Sequence, residues 1–140
     1  RTLTAADLAA RCRPVLELAA DVTLIEGAGG WRVPLNARET LADVAKLLEL
    51  PVILVVALRL GCLSHALLTA EAIRRDGLVL AGWVANSPDG DVMSHRDANR
   101  DALAARLGCP LLGDIPRLDP VNPAQAAEWI DSEKSWPCKA

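Results

Sequence analysis

The strongest constraint on the fold comes from residues 22–31, where a short apolar run ends in a carboxylate and a glycine-rich turn follows at once. β-Branched residues in the run favour a buried parallel strand. Glu26 then stands at the carboxyl end of that strand, where open α/β folds bind their ligands. The N–H groups of a glycine-rich turn can hold an anion, and a neighbouring carboxylate can hold the accompanying cation. The segment therefore predicts a site for a phosphate and a metal ion.

The rest of the chain continues an alternation of strand-length apolar runs with helical patterns. We predict strands at residues 21–26, 52–57, 78–85 and 111–115. We predict helices at residues 5–20, 40–50, 65–75, 94–107 and 122–130. Pro14 is expected to kink or divide the first helix, and Ser64 or its neighbour to cap the third. This alternation predicts a parallel sheet covered by helices on both faces.

Composition excludes several classes of protein. The net charge of −3 argues against a nucleic-acid binder and against a basic membrane-surface protein. No apolar run is long enough to span a membrane, and no segment resembles a signal peptide. The four cysteines are widely spaced, which is typical of reduced thiols in a cytoplasmic protein. Residues 131–140 form a polar tail that we expect to fray.

Five blocks of sequence together resemble the dethiobiotin synthetase family. They are residues 26–31, 51–56, 60–66, 80–86 and 110–116. The blocks occur in the order of that family and at about its spacing. The resemblance implies a three-layer α/β fold with a parallel sheet of the P-loop NTPase type. It also implies an ATP-dependent cyclo-ligase of biotin synthesis, which joins CO2 to 7,8-diaminononanoate through a carbamate and its phosphorylated anhydride. Such an enzyme uses Mg²⁺ and is a homodimer whose substrate site spans the interface.

The resemblance assigns nucleotide-binding roles to residues of three blocks. Glu26 corresponds to the magnesium-binding glutamate, and Asn86 to the asparagine that recognises adenine. Read alone, Asn86 fits better as the start of a turn. Arg117 stands where relatives have an apolar or aromatic residue, so it lies over the base or is simply solvated. The full nucleotide-binding set is Glu26, Gly27, Ala28, Gly29, Asn86, Ser87, Pro116, Arg117 and Leu118.

A second set corresponds to the loop that reaches the substrate carboxylate across the dimer: Gly61, Cys62, Leu63 and Ser64. A helix N-terminus attracts a carboxylate through its free N–H groups and the helix dipole. Ser64 stands where the family commonly has Asn, so it either contacts substrate or only caps the helix. Cys62 reads as a packed thiol rather than a nucleophile.

The remaining polar residues receive no functional role from the sequence. His65 and His95 lack partners at metal-ligand spacing and read as structural or surface residues. The charged residues of 96–106 read as an exposed helix face. Asp114 replaces a glutamate of the family block, and we assign it no role.

The chain lacks the family's P-loop, a GxxxxGK motif followed by Ser or Thr. The family places it at the N-terminus, with a lysine for the carbamate and an aspartate for magnesium. This chain begins with Arg1 rather than Met. We therefore expect residues 1–130 to be the carboxyl-terminal portion of one domain that is incomplete at its N-terminus. The catalytic groups would lie in the segment before it, and the chain alone would be inactive.

Two other functions stay open. One is a related P-loop ATPase or amidase of the partition or cobyric-acid type. The other is an inactive dimerising fragment. Tight binding of ATP in the presence of magnesium would exclude the inactive fragment. Turnover stimulated by the diamine and bicarbonate would exclude the ATPase of the partition type.

Overall fold

The computed structural model describes residues 2–88 and 93–131, and it shows helices alternating with parallel strands. In chain order the elements are α1 (Ala5–Leu16), α2 (Leu41–Leu48), β1 (Val52–Ala57), α3 (Cys62–Arg75), β2 (Leu80–Asn86), α4 (Arg96–Leu107), β3 (Leu111–Ile115) and α5 (Pro123–Ala127). The three strands form one sheet in the order β1-β2-β3, and both pairings are parallel. The predicted parallel α/β class is confirmed. No helix within the described ranges has the length and apolar character needed to cross a membrane.

The main core lies around β2, the central strand. Trp83 is fully buried there, and Ile73 of α3 with Leu103 and Leu107 of α4 belongs to the same cluster. The Trp83 indole N–H has no hydrogen-bond partner among the described residues. A second, smaller cluster joins α1 to α2 through residues such as Ala9. The sheet core therefore depends on α3 and α4.

The predicted strand at residues 21–26 is wrong. The segment pairs with no strand in the part of the chain that the structure describes, and Val22 and Leu24 are exposed. An apolar run becomes a strand only where a neighbouring backbone offers hydrogen-bond partners. The described sheet has β1 at one edge and β3 at the other, and neither pairs with this run.

Each of the five helix predictions needs a corrected end; the second helix, for example, spans Leu41–Leu48 rather than residues 40–50. The first helix stops at Leu16 rather than at residue 20, and Pro14 lies inside its last turn without dividing it. Helix α4 begins two residues later than predicted, with His95 as its N-cap. Helix α5 begins after Asn122, whose side chain accepts from two N–H groups, but ends at Ala127. Ile130 instead bridges to Gly113 of β3.

The start of α3 also differs from the prediction. Gly61, not Ser64, is its N-cap, and Ser64 lies within the first turn. Gly61 has φ +91, a backbone conformation that favours glycine. The predicted strands at residues 52–57 and 111–115 match β1 and β3. The cysteines at positions 12, 62 and 109 are free thiols, as predicted. Part of the turn that Asn86 could start, from residue 89 onward, and residues 132–140 of the predicted tail lie outside the described residues.

Candidate functional site

The carboxyl ends of the three strands lie side by side. Asn86 at the end of β2 is in register with Ala57 of β1 and with Ile115 of β3. The backbone N–H of Leu58 donates to the carbonyl of Asn86 at 2.8 Å, and that of Ser87 donates to the carbonyl of Ile115 at 3.0 Å. Ligands of parallel α/β sheets bind at this edge. The structure therefore brings together the polar residues that follow β2 and the loop that follows β3.

Two of the predicted nucleotide segments meet at this edge. Asn86 is half-buried, and its side chain makes no hydrogen bond to any described residue. Its amide thus retains a donor and an acceptor for a ligand. Pro116 follows Ile115 directly, so it lies next to Ser87, while Leu118 is half-buried two residues later. The Arg117 side chain is exposed and pairs with Asp119 at 3.2 Å, which favours the solvated alternative for that residue.

The first turn of α3 lies beside the same edge because it follows β1. Cys62 is buried in the main core, and its N–H donates to the carbonyl of Arg59 at 3.0 Å. The next two residues, Leu63 and Ser64, have N–H groups without a partner among the described residues. Unpaired donors are the usual state of a first helical turn. Of the four predicted substrate residues, Leu63 and Ser64 supply the available donors, whereas Cys62 supplies neither thiol nor N–H.

The glycine-rich turn is exposed to solvent. Glu26, Gly27 and Ala28 are exposed, and Gly29 has φ +83. A Cβ at Gly29 would lie 2.9 Å from Cγ2 of Val33, so only glycine fits there without movement. No hydrogen bond joins residues 26–29 to Asn86, Gly61 or Pro116 in the described part of the chain. The structure therefore leaves this turn separate from the other predicted site segments.

Asp76 anchors the residues that follow this turn. Its carboxylate accepts from the Trp31 indole N–H at 2.8 Å and pairs with Arg32 at 2.8 Å. Burial alone would raise the pKa of Asp76, but hydrogen bonds from Arg32 and Trp31 outweigh it, so the pKa lies below its ordinary value. Asp76 is the C-cap of α3. One carboxylate thus connects the residues after the glycine-rich turn to the carboxyl end of α3, the end opposite Ser64.

A polar cluster missed by the sequence analysis lies between α4 and β3. Asp114 on β3 binds the guanidinium of Arg96 through two nitrogens and that of Arg100 at 2.9 Å. The Nε of Arg96 also donates to the Ser87 hydroxyl at 2.9 Å. We call these four residues the Arg96 cluster. The expectation that residues 96–106 form only a solvated face is wrong for Arg96 and Arg100. Their spacing of four residues, which places both on one helix face, is the signal that could have shown it.

Charge pairing shifts the pKa values within the Arg96 cluster. Burial alone would raise the pKa of Asp114, but the hydrogen bonds and charges of Arg96 and Arg100 outweigh it and leave the pKa below its ordinary value. The hydrogen bond to Asp114 raises the pKa of Arg96, and it likewise raises that of Arg100. All three groups are therefore charged at neutral pH.

Among residues 2–88 and 93–131, no group of three or more His, Cys, Asp and Glu side chains lies close enough together to hold a metal ion. A metal at the glycine-rich turn would thus take at most two such side chains from these residues, and Glu26 is the predicted one. Mg²⁺ is commonly bound by one or two carboxylates, with water and substrate phosphates as the other ligands. Glu26 fits that kind of binding as one ligand.

Comparison with known proteins gives a consistent set of relatives. The family model described as "AAA domain" matches residues 2–125. The ATP-dependent dethiobiotin synthetase BioD of Pseudomonas aeruginosa is 57% identical over 129 residues, which cover 92% of this chain and 56% of that protein. The protein of the same name from Cellvibrio japonicus is 56% identical over 131 residues, covering 94% and 57%. That from Marinobacter nauticus is 53% identical over 125 residues, covering 89% and 53%. The chain spans little more than half the length of these curated relatives.

Proposed function

The chain belongs to the dethiobiotin synthetase family, and from that premise we propose that the protein is an ATP-dependent cyclo-ligase of biotin synthesis. Its substrates would be 7,8-diaminononanoate, CO2 and ATP. One amine of the diamine forms a carbamate with CO2, and ATP phosphorylates that carbamate. The neighbouring amine then attacks the activated carbon, closes the ureido ring and displaces phosphate. In this reaction we assign binding and positioning roles to the residues of this chain, and no catalytic residue.

The observation that carries the proposal is the meeting of Asn86 and Pro116 at one edge of the sheet. Ser87 bonds to the backbone immediately before Pro116, so the two strand ends form one wall. An amide can donate to N7 of adenine and accept from its N6 amino group. Asn86 would then recognise the base, while Pro116 and Leu118 would pack against its apolar face. Arg117 would line the outer side of that wall, where it is paired with Asp119.

We propose that the glycine-rich turn faces the phosphate side of ATP. Glu26 would hold Mg²⁺, and Gly27, Ala28 and Gly29 would present their backbone to the phosphates. When bound, Mg²⁺ neutralises charge that develops on the transferred phosphoryl group. The positive φ of Gly29 supports this role because it favours glycine, which has no side chain to block the approach of a ligand to the backbone. The link between Trp31 and Asp76 would hold the turn at a fixed position relative to α3.

The start of α3 would bind the substrate carboxylate. The N–H groups of Leu63 and Ser64, which have no partner in the part of the chain that the structure describes, suit an anion together with the helix dipole. Gly61 gives the chain the sharp entry into the helix, and the buried Cys62 fixes the first turn to the core. The neighbouring Leu60 is 96% exposed. We propose, from the resemblance to the family, that the protein is a homodimer whose site spans the interface, with Leu60 at the edge of the substrate loop.

The test is dethiobiotin formation by the protein expressed with its natural ends from its own gene. We expect product only when 7,8-diaminononanoate, bicarbonate, ATP and Mg²⁺ are all present. Glu26→Gln should lower the rate at limiting Mg²⁺ by at least about tenfold, because a metal ligand is lost. Glu17→Gln, at an exposed glutamate of α1's C-cap, should keep the wild-type rate.

Other outcomes would decide against the proposal. ATP hydrolysis that ignores the diamine would point to an ATPase of the partition type. Failure to bind ATP in a titration with Mg²⁺ would point to an inactive dimerising protein. If Glu26→Gln and Glu17→Gln lowered the rate of dethiobiotin formation equally, Glu26 would have no magnesium role, but the proposed reaction would still stand.

A further inference from the structure

We propose that Arg96 is a positioning residue for the nucleotide, acting through Ser87 and Asp114, an inference that rests on the proposed nucleotide site. Arg96 is the first residue of α4 and lies behind the sheet edge described above. Its guanidinium connects the residue that follows Asn86 to the residue two before Pro116. The two strand ends that would hold adenine are therefore linked by this side chain in addition to the backbone hydrogen bond from Ser87 to Ile115.

The contacts of Arg96 use all three of its guanidinium nitrogens. Nε donates to the hydroxyl of Ser87 at 2.9 Å. Nη1 donates to one carboxylate oxygen of Asp114 at 3.3 Å, and Nη2 donates to the other. A planar guanidinium presents these donors in a rigid fork, so the position of Ser87 is coupled to that of Asp114. Lysine, with one ammonium group, cannot reproduce this arrangement.

Burial makes the arrangement more rigid than an ordinary surface ion pair. The side chains of Arg96 and Asp114 are 21% and 26% exposed. Pairs shielded from water to this extent are less screened than exposed ones, which contribute little. Arg100 adds a second contact to Asp114 at 2.9 Å from the next turn of α4. The Asp114 side chain is thus held from two sides.

The charges of the cluster argue for positioning rather than for direct phosphate binding. The two guanidinium groups face three carboxylates, because Asp97 and Asp101 pair with them in addition to Asp114. Among the described residues this group has two cations and three anions, a balance that does not attract ATP phosphates. The structure therefore assigns Arg96 to holding the wall of the base site, not to contacting the anion.

Steady-state kinetics of the intact protein test this inference. We expect Arg96→Met to raise the KM for ATP by about tenfold, with kcat within about twofold and the KM for the diamine unchanged. Arg96→Lys should give only partial recovery, because it keeps the charge without the fork. Arg106→Met, on the same helix but away from Asp114, is the matched control and should behave as wild type. Ser87→Ala should also raise the KM for ATP. In the double variant of Arg96→Met and Ser87→Ala, the fold increase in that KM should be smaller than the product of the two single increases.

A readout of nucleotide choice separates positioning from stability. If Asn86 loses its fixed position, the ratio of kcat/KM for ATP to that for GTP should fall in Arg96→Met. A merely structural role would lower the active fraction, and hence the apparent kcat, while leaving both KM values and the ATP:GTP ratio unchanged; that result would overturn the inference. Urea unfolding of each variant measures the folded fraction directly.

The two proposals fail in different ways. Wild-type dethiobiotin formation with an unchanged KM for ATP in Arg96→Met overturns the positioning role alone. ATP hydrolysis without dethiobiotin, but with a raised KM for ATP in Arg96→Met, overturns the ligase and supports the positioning role. Absence of ATP binding by the wild-type protein overturns both.

Discussion

The indole N–H of Trp31 donates to the carboxylate of Asp76 at 2.8 Å, across 45 positions of sequence. Arg32 adds its guanidinium to the same carboxylate at 2.8 Å. These contacts connect the end of the glycine-rich turn to the C-cap of α3. The Trp31 carbonyl also accepts from the N–H of Ala42 at 3.1 Å, and Trp31 packs against the main core, so Asp76 is one of several contacts that hold the end of the turn.

Asp76→Ala should release the glycine-rich turn. The loss of hydrogen bonds from a charged partner costs about 1–3 kcal/mol of the free energy of unfolding, because Trp31 would keep an unpaired N–H. Urea unfolding measures that loss. Limited trypsin digestion should also cut faster after Arg32, which the ion pair otherwise holds.

Asp119→Ala is the control for both measurements. Asp119 is also paired with an arginine, Arg117, but both side chains are exposed, so little change is expected. If Asp76→Ala left both the unfolding free energy and the cleavage after Arg32 at wild-type values, the turn would be held by something other than Asp76.

Asp114 should make the protein sensitive to acid. Its pKa is lower in the folded protein than the ordinary value of 3.8. A lowered folded-state pKa contributes stability that is fully present above 3.8 and is lost as the pH falls through the folded value. Below 3.8 the unfolded chain takes up the proton first, so the free energy of unfolding falls. Asp76 and Asp43 have the same direction of shift and add to the effect.

The measurement is the free energy of unfolding by urea at a series of pH values from neutral to below 3.8. Asp114→Asn should start lower at neutral pH, since Arg96 and Arg100 lose their anionic partner. Its stability should then fall less steeply with acid than that of the wild type. Asp21→Asn, at an exposed aspartate, should keep the wild-type slope. Parallel pH curves for Asp114→Asn and wild type would contradict the argument.

The sheet was largely predictable from sequence because its signals are local. Strand β1 follows Pro51 and is a continuous apolar run, and β3 is bounded by Pro110 and Pro116. The run at residues 21–26 carries the same local signal but has no strand partner in the described sheet. Pairing is a property of the neighbouring backbone, which a single run of sequence does not contain.

The candidate site was predictable in part. The order of strand ends placed Asn86 and Pro116 at one edge, because parallel strands share their carboxyl edge. The role of Asp114 was not found, since its partners lie 14 and 18 positions away on a helix that reads as polar. Likewise, nothing in the sequence around Asp76 indicates its contact with Trp31, which is 45 positions away. Both carboxylates have long-range partners that depend on how helices pack on the sheet.

The backbone at Gly61 predicts different costs for two substitutions. Its φ of +91 is strained for residues with a Cβ, although no atom lies within 4 Å of the position a Cβ would take. Gly61→Ala should therefore lower the free energy of unfolding by about 1–2 kcal/mol. Gly61→Asn should cost less, because asparagine tolerates left-handed backbone. Gly27→Ala, where no positive φ is required, is the matched control for urea unfolding. Equal stability of Gly61→Ala and wild type would contradict the strained backbone.

Gly82 of β2 packs closely against Leu112 of β3. A Cβ at Gly82 would lie 2.6 Å from Cδ1 and 2.7 Å from Cγ of the fully buried Leu112. Alanine at this position would restrict the unfolded chain, which by itself favours folding by about 0.4–1 kcal/mol. Overpacking a closed core costs about 1–3 kcal/mol, so a net loss is expected for Gly82→Ala.

A double-mutant cycle shows whether contact with Leu112 is the cause of that loss. Leu112→Ala alone should cost about 2–5 kcal/mol, because it leaves a cavity in the core. In the double variant the added methyl group enters the space that Leu112 has left. The combined loss of unfolding free energy should then be smaller than the sum of the two single losses by about 0.5–3 kcal/mol. Strictly additive losses would mean that Gly82→Ala acts through the β2 backbone, and that the close contact between these two residues does not limit the size of the side chain at position 82.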